Sequence, residues 1–227
     1  LMNITDTMPV SVNALSMVEE PTQSPNHVRV GDQGGIILVR MDNGAVFRIL
    51  GLQLSSIHRV RYEIHGERGL IATADPNHWG NVRVYHEDWL RDEGQPKDRT
   101  YTADWPEHGE LARQAGHGGG DFWTSFHFSR AIRSGRQPYL NVYRGVSMSA
   151  VGIQAWKSCL ESGAPKPIPE FRKKSACKPY LEDHWSPYPE DRGPGQPPPS
   201  IRGHVKPDRE AVNYARKRWR QVGYPGR

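Results

Sequence analysis

His117 and Asp121 stand four residues apart around three glycines, in His117-Gly118-Gly119-Gly120-Asp121, directly ahead of an apolar run that opens at Phe122. A histidine and a carboxylate at that spacing can form a proton-transfer pair or orient a hydroxyl group. Glycines at a helix start let a ligand approach the backbone closely, and the free N–H groups there attract anions. The plainer alternative is a tight turn, with Asp121 capping the helix and using the donors a phosphate would need. Spacing alone favours that alternative. No Lys-Ser/Thr follows the glycines, so the element is not a P-loop. No Gly-x-Gly-x-x-Gly follows a strand, so it is not a dinucleotide fingerprint either.

The remaining reactive residue types form no stronger group. His127 lies ten residues beyond His117, which is not a metal-ligand spacing, and no third ligand is nominated, so no metal is expected. There is no Gly-x-Ser-x-Gly and no cysteine with a nearby histidine. Cys159 and Cys177 are the only cysteines and make no disulfide framework. Tyr143, after Asn141 and Val142, is either a core residue or a pocket hydroxyl; the core reading is favoured.

The elements that must hold these residues change character along the chain. Val10–Leu15 alternates apolar and polar residues, Gly35–Arg40 is a continuous apolar run with β-branched residues, and Ala45–Leu50 follows Asp42-Asn43-Gly44. Asn-Gly between two such runs predicts a hairpin with a type I′ turn. Arg59–Ile64, Leu70–Thr73 and Asn81–Tyr85 continue the series. Close, turn-linked strands predict an antiparallel meander. After a weakly helical stretch from Glu107 to Ala115, helices are predicted from Phe122 to Arg133, with Asp121 at the N-cap and Gly135 just past the end, and from Val142 to Leu160, ended by Gly163. The second carries apolar residues around most of its circumference and should be buried. Strands first and helices after give an α+β fold: an open, mostly antiparallel sheet with helices on one face.

From Ala164 to Pro207 the chain holds 11 of its 19 prolines, with Phe171, Tyr180, Trp185 and Tyr188 among them. It is expected to wrap the body as an extended arm before a last basic helix, Asp208–Val222. The expected domains are 1–163, sheet and helices, and 164–227, arm and basic helix. From Ile201 to Arg227 there are eight Lys/Arg against two acids, a balance of +6 against a net charge of +5, so the rest of the chain sums to −1. Arg216-Lys217-Arg218-Trp219-Arg220 has the composition of a nucleic-acid contact, but a solvated helix face with Trp219 turned inward is favoured. Neither nucleic acid nor membrane is expected as a partner. The first residues lack a basic segment and an apolar segment, so no signal peptide is read there. The compartment stays open, and a start at Leu rather than Met suggests that the natural protein begins earlier.

Gly116-His117-Gly118-Gly119-Gly120-Asp121-Phe122, Ala131–Pro138, Asn141-Val142-Tyr143 and Pro167-Ile168-Pro169-Glu170-Phe171 together resemble the C-terminal region of the glucose-fructose oxidoreductase / inositol dehydrogenase / rhizopine-catabolism (Gfo/Idh/MocA) family. They most resemble the branch with NAD-dependent α-N-acetylgalactosaminidases, whose pattern runs G-H-G-G-x-D-F, D-V-Y and P-D-F. Leu1-Met2-Asn3-Ile4 is similar to the segment after that branch's H-x-L-G-P stretch. The likeness covers roughly residues 1 to 172. Three positions depart from it: Asn141 stands for the aspartate of D-V-Y, Glu170 for that of P-D-F, and Ala74-Asp75 where glycosidase members carry a tyrosine.

The resemblance implies the sugar side of an active site, with His117, Asp121, Gly118, Gly119 and Tyr143 as substrate-binding residues and no catalytic residue assigned. It implies NAD or NADP in the full-length protein, held by an N-terminal Rossmann domain that this sequence does not contain, so the chain alone is expected to bind none. The implied activity is oxidation of a sugar or cyclitol hydroxyl, with NAD-dependent glycoside hydrolysis or a non-catalytic oligomerisation domain as alternatives. The missing tyrosine weighs against the glycosidase. A carbohydrate or cyclitol substrate and a second copy of the chain, docked through a sheet face, are the expected partners.

Overall fold

A computed structural model describes residues 2–18, 28–52, 59–75, 80–105, 107–186 and 195–224. The chain forms two compact units, Leu1–Leu54 with Leu140–Arg227, and Ser55–Tyr139. In chain order, the first unit opens with α1 (Met2–Thr5), β1 (Pro9–Met17), β2 (Gly34–Met41) and β3 (Val46–Leu52). The second holds β4 (Glu63–Gly66), β5 (Gly69–Thr73), β6 (Asn81–His86), β7 (Asp98–Thr102), α2 (Gly109–Gln114) and α3 (Gly120–Ser134). The first unit resumes with α4 (Val142–Leu160), β8 (Lys166–Pro167), α5 (Lys174–Cys177) and α6 (Arg209–Gln221). The fold is α+β with antiparallel pairing, as expected. The strands divide into two four-stranded sheets, ordered β3-β2-β1-β8 and β4-β5-β6-β7. The compact units follow this pairing rather than the position of the prolines.

The β2–β3 connection corrects the predicted turn type. Gly44 alone has a positive φ, +86°, where a type I′ turn needs two such residues. Gly44 N–H donates to Met41 O (3.0 Å), Met41 N–H donates to Ala45 O (2.8 Å), and Asn43 Oδ1 accepts from Ala45 N (3.1 Å). This is a three-residue loop with a glycine bulge, in which Asn43 supplies a side-chain acceptor rather than a left-handed backbone. The predicted strand at Arg59–Ile64 begins only at Glu63, and the polar edge strand β7 was not predicted.

Register decides which face of the first sheet is core. Val12 pairs with Val39 and Ala14 with Ile37, and those two pair onward with Phe47 and Ile49. These residues share one face and pack with Ala150, Ala155 and Ile168, so α4 covers them. The opposite face carries Leu15, Ile36, Leu38, Val46 and Leu50, with Leu50 62% exposed. Ile49, paired with Ile37, belongs to the covered face.

α4 starts where Asn141 Oδ1 accepts the N–H groups of Tyr143 (3.1 Å) and Arg144 (3.4 Å), satisfying two donors of the first turn. Near its end Ser158, with no exposed surface, joins three segments. Its hydroxyl accepts from Ala14 N of β1 (2.9 Å) and donates to Ala164 O (2.7 Å). The Pro-rich segment returns along the same helix. Trp156 Nε1 donates to Pro198 O (3.1 Å), Gln154 Nε2 to Pro167 O (2.8 Å), and Lys157 pairs with Asp183 (2.9 Å) beneath the Trp185 ring. Trp185 and Tyr180 of the proline-rich stretch thus meet α4, while Tyr188 lies outside the described residues.

Ser158→Ala leaves a buried N–H and a partly buried carbonyl without their partner. The expected cost is about 1–3 kcal/mol, the penalty for stranding buried polar groups. Urea denaturation of the chain should show the midpoint falling with an unchanged slope.

Candidate functional site

The glycine-rich element lies in the second unit and joins α2 to α3 through a 3-10 turn, His117–Gly119. Three successive residues sit in the left-handed region: His117 at φ +53°, Gly118 at +63° and Gly119 at +95°. Two glycines make such a run feasible, because a Cβ there meets the following carbonyl. Gly119 has a second reason to lack a side chain. A Cβ would lie 3.2 Å from Ala112 O and 3.3 Å from Ala112 Cβ, so α2 seats directly on the turn. Ala112 is fully buried there.

The turn brings His117 back over the first turn of α3. Its Nδ1 lies 2.9 Å from Asp121 Oδ1 and 3.0 Å from Oδ2. A carboxylate can only accept, so Nδ1 carries a proton, and the neutral form of the ring then has its lone pair on Nε2. No described residue engages Nε2, and the His117 side chain is 86% exposed. The arrangement can accept a hydrogen bond, or a proton, from a hydroxyl placed at Nε2.

Asp121 does not cap the helix, contrary to the sequence reading. The cap position is Gly119, with no side-chain bond, and Asp121 lies inside the first turn of α3. The reason is the left-handed run, which lets the helix begin two residues earlier and turns the carboxylate toward His117. Room for it comes from Gly116, where a Cβ would stand 2.5 Å from Asp121 Oδ2. The turn follows α2 rather than a strand, and a carboxylate occupies its helix mouth. It therefore does not fit a nicotinamide cofactor's pyrophosphate, which needs open N–H groups after a strand.

Gly118 and Gly119 thus stand with His117 and Asp121 in one turn. Tyr143 belongs to the other unit, on α4, half-buried, with the Arg172 guanidinium 4.2 Å from its ring centroid. The sequence reading missed Gly116, for which the sequence holds no side-chain signal. It also missed the ring cluster behind the turn. His108 lies 5.1 Å from Phe126, and Trp123 lies 5.2 Å from Trp105 and 5.6 Å from His127, stacked. The i, i+4 spacing of Phe122 with Phe126 and Trp123 with His127 is the signal that would have found it. Burial pushes the Cys159 thiol up, and the Asp32 carboxylate adds to the shift, which disfavours a thiolate nucleophile. Among the described residues no group of three or more His, Cys, Asp or Glu could hold a metal ion, and no helix is long and apolar enough to cross a membrane.

The fold is that of a C-terminal α+β domain of the Gfo/Idh/MocA kind. A family model described as "Glycosyl hydrolase 109, C-terminal domain" matches residues 41–178, more than half of the chain, and the chain belongs to that family. A glycosyl hydrolase family 109 protein of Solibacter usitatus (strain Ellin6076) is 26% identical over 164 residues, which is 67% of this chain and 35% of that protein. The chain thus spans about a third of the length of this curated relative. Among solved structures, an oxidoreductase domain protein from Kribbella flavida superposes with a TM-score of 0.58 at 18% identity, covering 74% of this chain and 47% of that one. Levoglucosan dehydrogenase in complex with NADH and levoglucosan gives 0.55 at 20% identity, covering 72% and 45%. An aldose-aldose oxidoreductase from Caulobacter crescentus gives 0.52 at 18%, covering 74% and 43%.

Gly116→Ala should displace the Asp121 carboxylate and free the His117 ring while α3 stays helical. Nitrogen-15 NMR of the imidazole reads this directly. The expected outcome is a single Nδ1–H tautomer in the parent chain and a mixture in the variant, with circular dichroism unchanged.

Proposed function

We propose that this chain is the substrate-binding portion of an NAD(P)-dependent oxidoreductase acting on a sugar or cyclitol hydroxyl. One observation carries the reading: His117 is held at Nδ1 by Asp121 and presents an unengaged Nε2 as an acceptor. A ring hydroxyl donating to Nε2 would be oriented, and its proton drawn off, as its carbon is oxidised. The nicotinamide cofactor supplies the hydride acceptor in the full-length protein. In this chain the described glycine-rich turn is not its seat, so the chain's own part is to bind and orient substrate. Gly118 and Gly119 let the backbone lie close to that substrate.

Glycoside hydrolysis dependent on NAD is the second reading, favoured by the family match and by the Solibacter usitatus relative. Ala74 and Asp75, where the resembling branch carries a tyrosine, weigh against it. The full-length gene product, assayed with NAD and NADP against free sugars, cyclitols and nitrophenyl glycosides, separates the readings. Cofactor reduction on free sugars or cyclitols supports the first, and nitrophenol release the second. Neither activity would leave an oligomerisation domain. In the active protein, His117→Ala should lower kcat/KM by at least about 100-fold, the range of a lost acid–base group. Its melting temperature should hold nearly constant, since an exposed ion pair contributes no more than about 1 kcal/mol. A destabilised variant with intact turnover per folded molecule would make His117 structural.

The same reading includes a homo-oligomer built through the first sheet. The face with Leu15, Leu38, Val46 and Leu50 exposes contiguous apolar side chains, which is the character of an association surface. Light scattering at micromolar concentration should report a dimer or larger, and Leu50→Glu should shift it toward monomer. A monomeric parent chain would remove the proposal.

A further inference from the structure

α4 meets the first sheet with one side and leaves much of the other bare. Its buried residues are Ser147, Ala150, Gln154, Ala155 and Ser158. At 100° per residue, Val142, Val146, Ser149 and Ile153 fall within a strip about 60° wide on the side turned away from the sheet. Val142 is 66% exposed, Ile153 52% and Val146 40%. The water-facing side of a helix ordinarily carries charge. Here no residue from Gly145 to Trp156 is charged. Arg144 lies round the helix from the strip and is bound to Asp6 (2.6 Å). Further along α4 the chain supplies its own cover, where Trp156 and Lys157 receive the Pro-rich arm at Pro198 and Asp183. The strip from Val142 to Ile153, roughly 16 Å at 1.5 Å per residue, stays open.

Two glycines beside the strip give it a shape. Gly145 precedes Val146 and Gly152 precedes Ile153, so a glycine–branched pair recurs after seven residues, or two turns. Glycine inside a helix is unfavourable unless the missing side chain is put to use. A Cβ on either glycine would meet no other part of the chain within 4 Å. Each is thus an empty socket next to an apolar knob. Two such helices can lie side by side in the same direction, about a two-fold axis running along them. Val142 and Ser149 then face their own copies. Val146 falls on the partner's Gly145, and Ile153 falls on the partner's Gly152. An antiparallel pair instead sets Val146 against the partner's Ile153 and leaves the sockets facing one another.

We propose that this strip of α4 docks on the same strip of a second copy of the chain, as a parallel two-fold helix pair. The strip itself selects that occupant. It offers no charge to a charged partner, and its knobs match its own sockets. Contact along one helix falls below the ~1,200 Å² at which stable interfaces begin, so the pair is weak alone. It adds to the contact proposed for the opposite face of the first sheet and does not depend on it.

Copper–phenanthroline oxidation of the full chain at high micromolar concentration tests this. Ser149→Cys and Val142→Cys should each give disulfide-linked dimers, mapped by mass spectrometry to 149–149 and 142–142. Met148→Cys should not, although Met148 is 53% exposed, because it lies about 100° round the helix from Ser149. The parent chain, with half-buried Cys159 and Cys177, is the control. Gly152→Leu fills the socket and should cut the 149–149 yield at least tenfold. Its circular dichroism should hold and its melting temperature should not fall, since leucine favours helix over glycine. Leu50→Glu, which separates copies joined at the sheet, should leave both links in place, so failure of the sheet contact and failure of this one are distinguishable. The proposal is overturned by no link at 149, by equal linking at 148, or by a link at 149 without one at 142, which marks an antiparallel pair. An undiminished yield with Gly152→Leu, or loss of the links with Leu50→Glu, overturns it as well.

Discussion

The Asp121 carboxylate occupies the volume that a Cβ at residue 116 would need, and the rest of the candidate site is arranged around that steric allowance. With the space filled by a carboxylate, His117 is drawn back over the start of α3 and its ring is fixed by two contacts to one nitrogen. Reaching that position requires the chain to reverse within three residues, all left-handed. Gly119 then serves twice, by allowing the reversal and by letting α2 close against it through Ala112. Helix start, ring orientation and interhelix contact therefore share one cause, the absence of side chains at 116, 118 and 119.

The first unit solves a different problem by different means. α4 must cover one face of a sheet whose backbone is already paired, so small residues make the contact: Ala14 on β1, Ala150 and Ala155 on the helix. Ser158 adds a polar joint where the helix ends, taking the Ala14 N–H and giving its own proton to Ala164 O. A hydroxyl is the one small group that can do both. The prolines after Gly163 cannot donate, and several of their carbonyls become acceptors instead. Pro167 O takes Gln154 and Pro198 O takes Trp156. The arm is thus bound to α4 through bonds in which it accepts.

Much of this could be read in the residues. α4 was legible from its apolar circumference and from Asn141 at its mouth, and α6 from Asp208 at its cap. The His117–Asp121 pair was one of two readings the spacing allowed, and spacing alone favoured the other, a capping Asp121. β7 was not: Asp98-Arg99-Thr100-Tyr101-Thr102 is exposed at all five positions and exists by pairing with β6, which leaves no apolar alternation to detect. The role of Asp121 was misread by a shift of two residues, because a run of glycines marks a turn without saying which glycine caps it. The side of the sheet on which Ile49 lies was likewise fixed by register, through its pairing with Ile37, and a one-residue slip reverses every side chain.

The pairing between His117 and Asp121 is also a question of what does the positioning. Both side chains are well exposed, and an exposed ion pair trades its partner for water at little cost. Its attraction alone would not hold an imidazole to one orientation. The left-handed turn and the cleared space over Gly116 restrict the ring before any charge acts, so the hydrogen bond selects among few remaining orientations. Preorganisation of this kind resides in the backbone and survives high salt, which screens the charge but not the turn. The candidate site is thus a rigid turn that presents one ring nitrogen outward, and the carboxylate's main contribution is to fix which nitrogen that is.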